Sequence, residues 1–181
     1  MSRSESSLTH KLTASALCLA LCLLLPFLTG QIQQIGNALC PMHIPVFLCG
    51  FLCGAPWGAA VGLIAPPLRF LLFHMPPIFP IGVAMSFELA VYGLVAGLLY
   101  ARLPKRVLSL YVSLLGAMLA GRAVWGIVRF ALAAAVGEQF TFAMFLSGAF
   151  LTAIPGIVCH LLLIPPVVIA LRGHAQPRCS A

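Results

Sequence analysis

The sequence predicts an all-α membrane protein, one bundle of six transmembrane helices with both termini in the cytoplasm. Composition is the first reason: 62% of the 181 residues are apolar and only 7% are charged, against about 25% charged in soluble domains. Ten basic and three acidic side chains are too few to cover a soluble globule, which excludes that class. Long apolar segments are the second reason, since about 20 such residues cross a bilayer as a helix.

Four spans follow directly from these apolar segments, at residues 12–29, 81–101, 107–136 and 140–171. The first follows a Ser-rich head and also fits a signal peptide. It is longer than the usual 7 to 15 residue signal core and no Ala-x-Ala site follows it, which favours a retained helix. The last two are long enough to tilt or to extend past the bilayer.

Residues 44–73 are apolar but interrupted by prolines and by glycines four residues apart. The prolines are Pro45, Pro56, Pro66 and Pro67, and the glycines are Gly50, Gly54, Gly58 and Gly62. We expect two short helices hinged near Ala55 and Pro56, with a re-entrant hairpin as the alternative. The glycine spacing would allow close helix approach.

The basic residues of loops and tails set the orientation, because they favour the cytoplasmic side. They are Arg3, Lys11, Arg102, Lys105, Arg106, Arg172 and Arg178. All seven are cytoplasmic only if residues 44–73 cross the membrane an even number of times. The predicted organisation is a tail at 1–11, a membrane domain at 12–171 and a tail at 172–181.

Four charged residues lie inside predicted spans: Glu88, Arg69, Arg122 and Arg129. Each costs about 2.5 to 3.5 kcal/mol to insert, so such groups face a partner or a wet cavity. Glu88 could pair with Arg122 or Arg129 merely to lock two helices. One carboxylate among three guanidiniums nevertheless leaves positive charge over, which an anionic ligand would complete.

Helical spacing places Arg122, Trp125 and Arg129 on one face of their span, and Met85, Glu88 and Tyr92 form a similar stripe on the preceding span. We therefore predict an outward-open chamber capped by polar residues of the first long connection. Its candidate binding residues are Glu88, Arg122, Trp125, Arg129, Arg69, Asn37 and His43, with Gln31, Gln33 and Gln34 in the cap. Arg69 is also placed to snorkel at the interface.

Other function classes lack support in the sequence. There is no Walker loop, no nucleophile elbow and no pair of buried carboxylates, so an enzyme is not expected. The basic residues are too sparse for nucleic-acid binding. The cysteines lie largely in apolar runs, so we interpret them as packing residues, and we expect neither a metal site nor a cofactor.

Five sequence blocks, in order over nearly the whole chain, resemble one family. They are Ala-x-x-x-Ala at 16–20, Gly-Asn-x-Leu-Cys-Pro-Met-His-Ile-Pro at 36–45, Met-Pro-Pro-Ile-Phe-Pro at 75–80, Phe-Glu-Leu-Ala-Val-Tyr-Gly-Leu at 87–94 and Gly-Arg-Ala-Val-Trp-Gly at 121–126. The chain resembles the substrate-binding (S) subunits of energy-coupling factor (ECF) vitamin transporters. The nickel and cobalt branch of that family carries an N-terminal Met-His that is missing here, which disfavours a metal ion as substrate.

The resemblance implies a six-helix subunit of a bacterial plasma membrane that captures a micronutrient from outside. It also implies a coupling transmembrane (T) subunit that contacts Ala16 and Ala20, and two ATPase subunits that supply energy. The first extracellular loop would close over a site that corresponds to Glu88, Arg122, Trp125 and Arg129.

The predicted function is therefore binding and uptake of a vitamin-like nutrient, with surplus arginine charge favouring an anion such as pantothenate or a folate. Two alternatives remain at this point. One is a self-sufficient secondary carrier that uses Glu88 as a proton or cation site. The other is a scaffold in which the arginines merely pair.

Overall fold

A computed structural model describes residues 3–29, 40–75, 77–104, 106–148 and 153–175, and within these ranges it is helical without strands. The helices are α1 (Arg3–Leu24), α2 (His43–Cys53), α3 (Ala55–Phe73), α4 (Val83–Arg102), α5 (Val107–Val136), α6 (Phe142–Leu146) and α7 (Ile154–Ala175). A 3-10 turn (Leu25–Thr29) extends α1, and a π turn (Ile78–Gly82) precedes α4.

Five helical segments of the described residues are long and apolar enough to cross a membrane. They are Leu8–Phe27, Ala55–Phe73, Ile78–Arg102, Val107–Val136 and Ile154–Leu171. The apolar helix α2 has 11 residues and is about 16 Å long, which is shorter than the hydrocarbon core of about 30 Å. The all-helical, multi-pass class is confirmed, whereas the six-span count and the position of the termini stay predictions.

The hinge predicted near Ala55 and Pro56 is confirmed and lies at Gly54. Gly54 has φ 101° and ψ 170°, a conformation that L side chains rarely adopt. A Cβ on Gly58 would lie 2.7 Å from the Cα atom of Gly50, although one continuous helix would separate these residues by about 12 Å. Helices α2 and α3 therefore fold back on one another.

Glycines also bring this helix pair against α4. A Cβ on Gly50 would lie 2.6 Å from the carbonyl oxygen of Gly93, and one on Gly58 would lie 2.9 Å from the same oxygen. On α4, a Cβ at Gly97 would lie 2.5 Å from the backbone nitrogen of Ala55. The glycine spacing thus permits backbone contact within a three-helix unit, as small residues commonly do in membranes.

The prediction of one helix over residues 140–171 is wrong. Helix α6 ends at Leu146, and α7 begins at Ile154. Thr141 caps α6 through its Oγ1 atom, which accepts a hydrogen bond from the backbone N–H of Met144 at 3.3 Å. Pro155 lies in the first turn of α7, where backbone N–H groups have no partner within the helix, so the N–H that proline lacks breaks no helical hydrogen bond. Thr141 thus marks the start of α6 and Pro155 the start of α7, two local signals that hydropathy does not detect.

The core lies where α1, α2 and α4 meet, with further contributions from α3, α5 and α7. Phe47 of α2 and Tyr92 of α4 are fully or almost fully buried and stack with ring centroids 4.9 Å apart. Cys18 and Cys22 of α1 are buried beside Cys49 of α2, as small, weakly polar packing residues. This packing holds the start of α2 beside the middle of α4, next to the cavity described below.

Candidate functional site

A cavity of about 330 Å³ opens between α4, α5, the start of α2 and the segment that follows α5. Its described lining residues are Cys40, His43, Ile81, Met85, Glu88, Arg122, Trp125, Arg129, Phe140 and Gly148. Five of the seven predicted binding residues are among them. The predicted pairing of the Glu88 stripe with the Arg122 face is therefore what forms the chamber.

Glu88 is held by an ion pair and a hydrogen bond in the inner part of this cavity. Its side chain is 2% exposed. The Oε1 atom lies 3.1 Å from Nη1 of Arg122 and accepts a 2.6 Å hydrogen bond from the hydroxyl of Tyr92. Arg122 thus supplies the partner that a buried carboxylate requires, and α4 is joined to α5.

Arg129 carries the positive charge that is left over. Among the described residues its buried Nη1 atom has no hydrogen-bond partner. No described carboxylate oxygen lies within 4.0 Å of its guanidinium, which rests 5.0 Å from the ring centroid of Phe140. A cation–π contact stabilises the charge in part, but it gives the Nη1 hydrogens no acceptor.

Aromatic side chains form the wall beside Arg129. Trp125 stacks on Phe145 with ring centroids 6.1 Å apart, and Phe140 meets it edge-on at 6.1 Å. Phe130 completes this group by contacting Phe140 at 4.9 Å. Trp125 and Phe140 line the cavity, and Phe145 of α6 and Phe130 pack behind them, so one side of the cavity is largely apolar.

Two buried histidines share a single backbone carbonyl at the base of the cavity. Nδ1 of His43 lies 3.0 Å from the Cys40 carbonyl oxygen, and Nε2 of His160 lies 3.3 Å from it. A carbonyl only accepts, so both of these nitrogens carry hydrogen and donate. The opposite nitrogens, Nε2 of His43 and Nδ1 of His160, have no partner among the described residues.

A second void of about 10 Å³ adjoins these histidines, with room for about one water molecule. Cys40 lines both spaces in a left-handed backbone conformation, φ 47°. Burial raises the pKa of the Cys40 thiol to about 11, so the cavity presents a neutral thiol at physiological pH rather than a thiolate.

Arg69 is not brought to the cavity. It is 4% exposed, and its Nη1 atom donates a 2.6 Å hydrogen bond to the carbonyl oxygen of Leu23. The rings of Phe27 and Phe73 flank the guanidinium at 5.3 and 5.4 Å. Arg69 therefore joins α1 to α3, in place of the predicted substrate contact or an exposed position at the interface.

The remaining predicted positions fall outside the cavity or outside the described residues. Asn37, with Gln31, Gln33 and Gln34 of the predicted cap, lies outside the described residues. Ala16 and Ala20 are both exposed on α1, beside exposed Leu12 and Leu17. A partner helix could approach this stripe without displacing any other described helix.

Sequence reasoning missed three contributors to the site. Cys40 lies in the block at 36–45, which supported the family resemblance but gave no reason to select this residue. His160 had no motif around it, and only its burial and its bond to Cys40 reveal its position. Phe140 begins the apolar run that the sequence assigned to a single helix.

A comparison with protein-family models gives one match, to the substrate-specific component of ECF transporters, over residues 10–168. The chain belongs to this family. The resemblance noted from the sequence blocks is thereby confirmed for most of the chain. No curated protein and no solved structure matches it in parallel comparisons.

As an S component, the protein is a multi-pass membrane transport subunit and not an enzyme. Family membership also implies that it works with the T subunit and the ATPase subunits of an ECF module. The cavity at Glu88, Arg122 and Arg129 is the candidate place for its substrate, since ligand sites are concave and mostly apolar, with a few convergent polar groups.

Proposed function

We propose that this S component captures a compact organic micronutrient that carries a carboxylate or phosphate group, and holds that group at Arg129. The buried, unpartnered Nη1 of Arg129 on the cavity wall is the observation on which this proposal rests. A guanidinium binds carboxylate and phosphate through paired N–H donors, so an anionic substrate group satisfies both its charge and its hydrogen bonds.

The charge balance of the cavity supports an anion. Glu88 and Arg122 neutralise one another at 3.1 Å, and Arg129 remains as net positive charge beside Trp125 and Phe140. Leaving that charge unmatched in a membrane-embedded bundle is costly. A substrate anion removes the cost, and a neutral or cationic substrate does not.

Cavity size favours a small nutrient over a large one. A volume of about 330 Å³ lies at the lower end of the roughly 300 to 1,000 Å³ that is usual for small-molecule sites. Of the two anionic vitamins that the sequence suggested, pantothenate fits this space better than a folate, which is larger because it contains a pterin and a benzoyl group. The aromatic wall suits the apolar part of such a molecule.

The complete transport cycle requires features that we propose on the family resemblance. The exposed Ala16 and Ala20 stripe contacts the T subunit, two ATPase subunits supply energy, and the loop that contains Gln31 and Asn37 closes over the bound substrate. The bundle has six spans with both termini in the cytoplasm of a bacterium, so that the cavity opens outward.

Tryptophan fluorescence tests the anion site directly. The chain has two tryptophans, so Trp57→Phe leaves Trp125 as the sole reporter, inside the cavity. In this background Arg129→Gln should weaken pantothenate binding by about 10-fold or more, because a hydrogen bond to a charged group contributes about 1.5 to 3 kcal/mol. Arg106→Gln, a loop arginine, is the matched control and should bind like the parent. Equal affinity in Arg129→Gln and the parent would refute the anion site.

Reconstitution separates this proposal from the self-sufficient carrier. Proteoliposomes that contain the chain alone should bind substrate without accumulating it, and uptake should appear when the T and ATPase subunits are added with ATP. Accumulation driven by a proton gradient in the chain alone would favour the carrier, with Glu88 as its proton site.

Replacing Ala16 and Ala20 by leucine should weaken assembly with the T subunit but spare substrate binding by the free subunit.

A further inference from the structure

The inner part of the cavity presents hydrogen-bond acceptors, in contrast to the donors of Arg129. His43 is 2% exposed and is fixed by its Nδ1–H bond to Cys40, which leaves Nε2 as an unpartnered acceptor. The Oε1 atom of Glu88 lies 3.9 Å from this nitrogen, beyond the roughly 2.7 to 3.2 Å of an N–H···O hydrogen bond. Nε2 of His43, which lacks a donor, thus stands beside a carboxylate oxygen that already accepts from Tyr92 and Arg122.

Their spacing suits one donor group that serves both. An atom about 2.8 Å from each of two acceptors 3.9 Å apart subtends an angle of about 90°. Water or an N–H₂ group has two hydrogens and could donate to both atoms, whereas a hydroxyl or a single N–H could form one strong bond to Nε2 and a weak, bent one to Oε1. His43 and Glu88 both line the cavity, so a substrate group could occupy this position.

Charge decides which kind of donor fits. Arg122 already neutralises Glu88, so the inner part of the cavity carries no net charge while His43 is neutral. An ammonium group would add an unmatched positive charge beside Arg122, which a low-dielectric site penalises. A hydroxyl or an amide N–H supplies the hydrogen without the charge.

The helix sets the distance between the two ends of the site. Arg122, which contacts Glu88, and Arg129 are seven residues apart on α5, or about 10 Å along its axis. A molecule with its donor next to its carboxylate, such as an α-hydroxy acid, cannot reach both ends. With C–C bonds of about 1.5 Å, an extended chain of about six to eight carbons can.

We propose that His43 and Glu88 form a second subsite, which selects substrates that carry a neutral hydroxyl or N–H donor well separated from their anionic group, because the two ends of the site lie about 10 Å apart along α5. The inference rests on the proposed function, because it takes the anion to lie at Arg129. The substrate class is an elongated hydroxy- or amido-acid, held by a donor end at α2 and α4 and an anionic end at α5.

Matched fragments test the subsite in the Trp57→Phe background. The probes are hexanoate and octanoate, their ω-hydroxy and ω-amino derivatives, and glycolate, each titrated against Trp125 fluorescence. The ω-hydroxy acids should bind up to about 10-fold more tightly than the unsubstituted acids, as expected for a new hydrogen bond to the buried, otherwise unpartnered Nε2 atom of His43. The ω-amino acids and glycolate should show no such gain.

Two substitutions at one position isolate the acceptor. His43→Asn keeps an N–H that can reach the Cys40 carbonyl but removes the acceptor at the Nε2 position, and His43→Gln keeps a polar group there. In His43→Asn the ω-hydroxyl advantage, measured as the affinity ratio of each ω-hydroxy acid to its parent acid in the same variant, should fall to within about twofold, whereas His43→Gln should retain part of it. Thermal unfolding of both variants verifies that they fold.

The outcomes distinguish the subsite from the proposed function. If the acids bind through Arg129 with no ω-hydroxyl advantage, or with an equal advantage in His43→Asn, the subsite is refuted and the anion site stands. If the advantage persists while Arg129→Gln binds every acid as the parent does, the subsite is supported and the anion site is refuted. If no acid of the panel binds saturably, both are refuted.

Discussion

Removing one partner of the Glu88–Arg122 pair should cost far more stability than removing both. Glu88→Leu leaves a guanidinium in the bundle without its carboxylate, and Arg122→Met leaves a carboxylate without its guanidinium. The two atoms of the pair lie 3.1 Å apart, and the Glu88 side chain is almost fully buried. Breaking a buried pair by removing one partner costs about 3 to 5 kcal/mol, whereas apolar replacement of both is often close to neutral.

The structure sets the size of the coupling between the two positions. Each single variant should lose about 3 kcal/mol of unfolding free energy, and Glu88→Leu should lose about 1 kcal/mol more, because the Tyr92 hydroxyl loses its 2.6 Å acceptor. The double variant loses the Tyr92 bond but retains no unmatched charge. We therefore expect a coupling energy of at least about 2 kcal/mol, well above the roughly 0.5 kcal/mol scatter of independent sites.

Unfolding by sodium dodecyl sulfate in mixed micelles, followed by helicity and without substrate, measures the four free energies of this cycle. Glu138 is an exposed acid in the turn after α5 and provides the control. Glu138→Gln combined with Arg122→Met should be additive within about 0.5 kcal/mol. Additive losses for Glu88→Leu and Arg122→Met would show that the pair does not hold α4 against α5, and the account of the site would fail.

Three other substitutions test separate parts of the structure. Arg69→Met should lower the unfolding free energy by about 1 to 3 kcal/mol by leaving a carbonyl of α1 unbonded, while substrate affinity stays within about twofold; a large loss of affinity would return Arg69 to the site. Gly58→Ala should lower the unfolding free energy by about 2 kcal/mol or more, because the added Cβ would meet backbone. Gly116→Ala, whose Cβ would meet only the end of a leucine side chain, should lower it by less than about 1 kcal/mol. Equal losses in the two variants would contradict the packing of α3. His160→Leu should weaken substrate binding, as titration of Trp125 fluorescence would show, because the Cys40 carbonyl loses its bond to α7 and keeps only those from His43. Unchanged affinity would mean that His160 does not position that segment.

Hydropathy and helical spacing were sufficient to predict the membrane class, the hinge region and the face of α5. They succeed because burial in lipid selects apolar residues over whole spans, and because spacings of three and four residues place Arg122, Trp125 and Arg129 on one side of a helix. The predicted neighbour, Glu88, followed from charge balance alone, since an intramembrane acid needs a partner. Geometry that depends on one helix is therefore readable from sequence.

Contacts between helices could be predicted only where charge balance or glycine spacing required them. Arg69 has the same composition signal as Arg122, and only the position of the Leu23 carbonyl and of two phenylalanine rings directs it away from the cavity. His160 contacts Cys40 across 120 positions of sequence, a relation that no local pattern contains. The starts of α6 and α7 are marked by a cap and by a first-turn proline, which hydropathy does not detect.

The two ends of the site belong to parts of the bundle that are built differently, and this difference bears on how substrate could be sensed. Glu88 and His43 stand on the unit of α2, α3 and α4, where backbones touch at glycines and little movement is available without clashes. Arg129 stands on α5 within a wall completed by α6, a helix of five residues with none buried. A substrate that bridges His43 and Arg129 would therefore join a rigid unit to a wall with few buried contacts. Ligand that binds only the folded state stabilises the whole bundle by RT ln(1 + [L]/Kd), about 2.7 kcal/mol at 100 Kd, whereas α6 has no buried residue of its own to limit its movement. A loaded subunit would then differ from an empty one chiefly in the α5–α6 wall, and that is where a coupling mechanism could distinguish them.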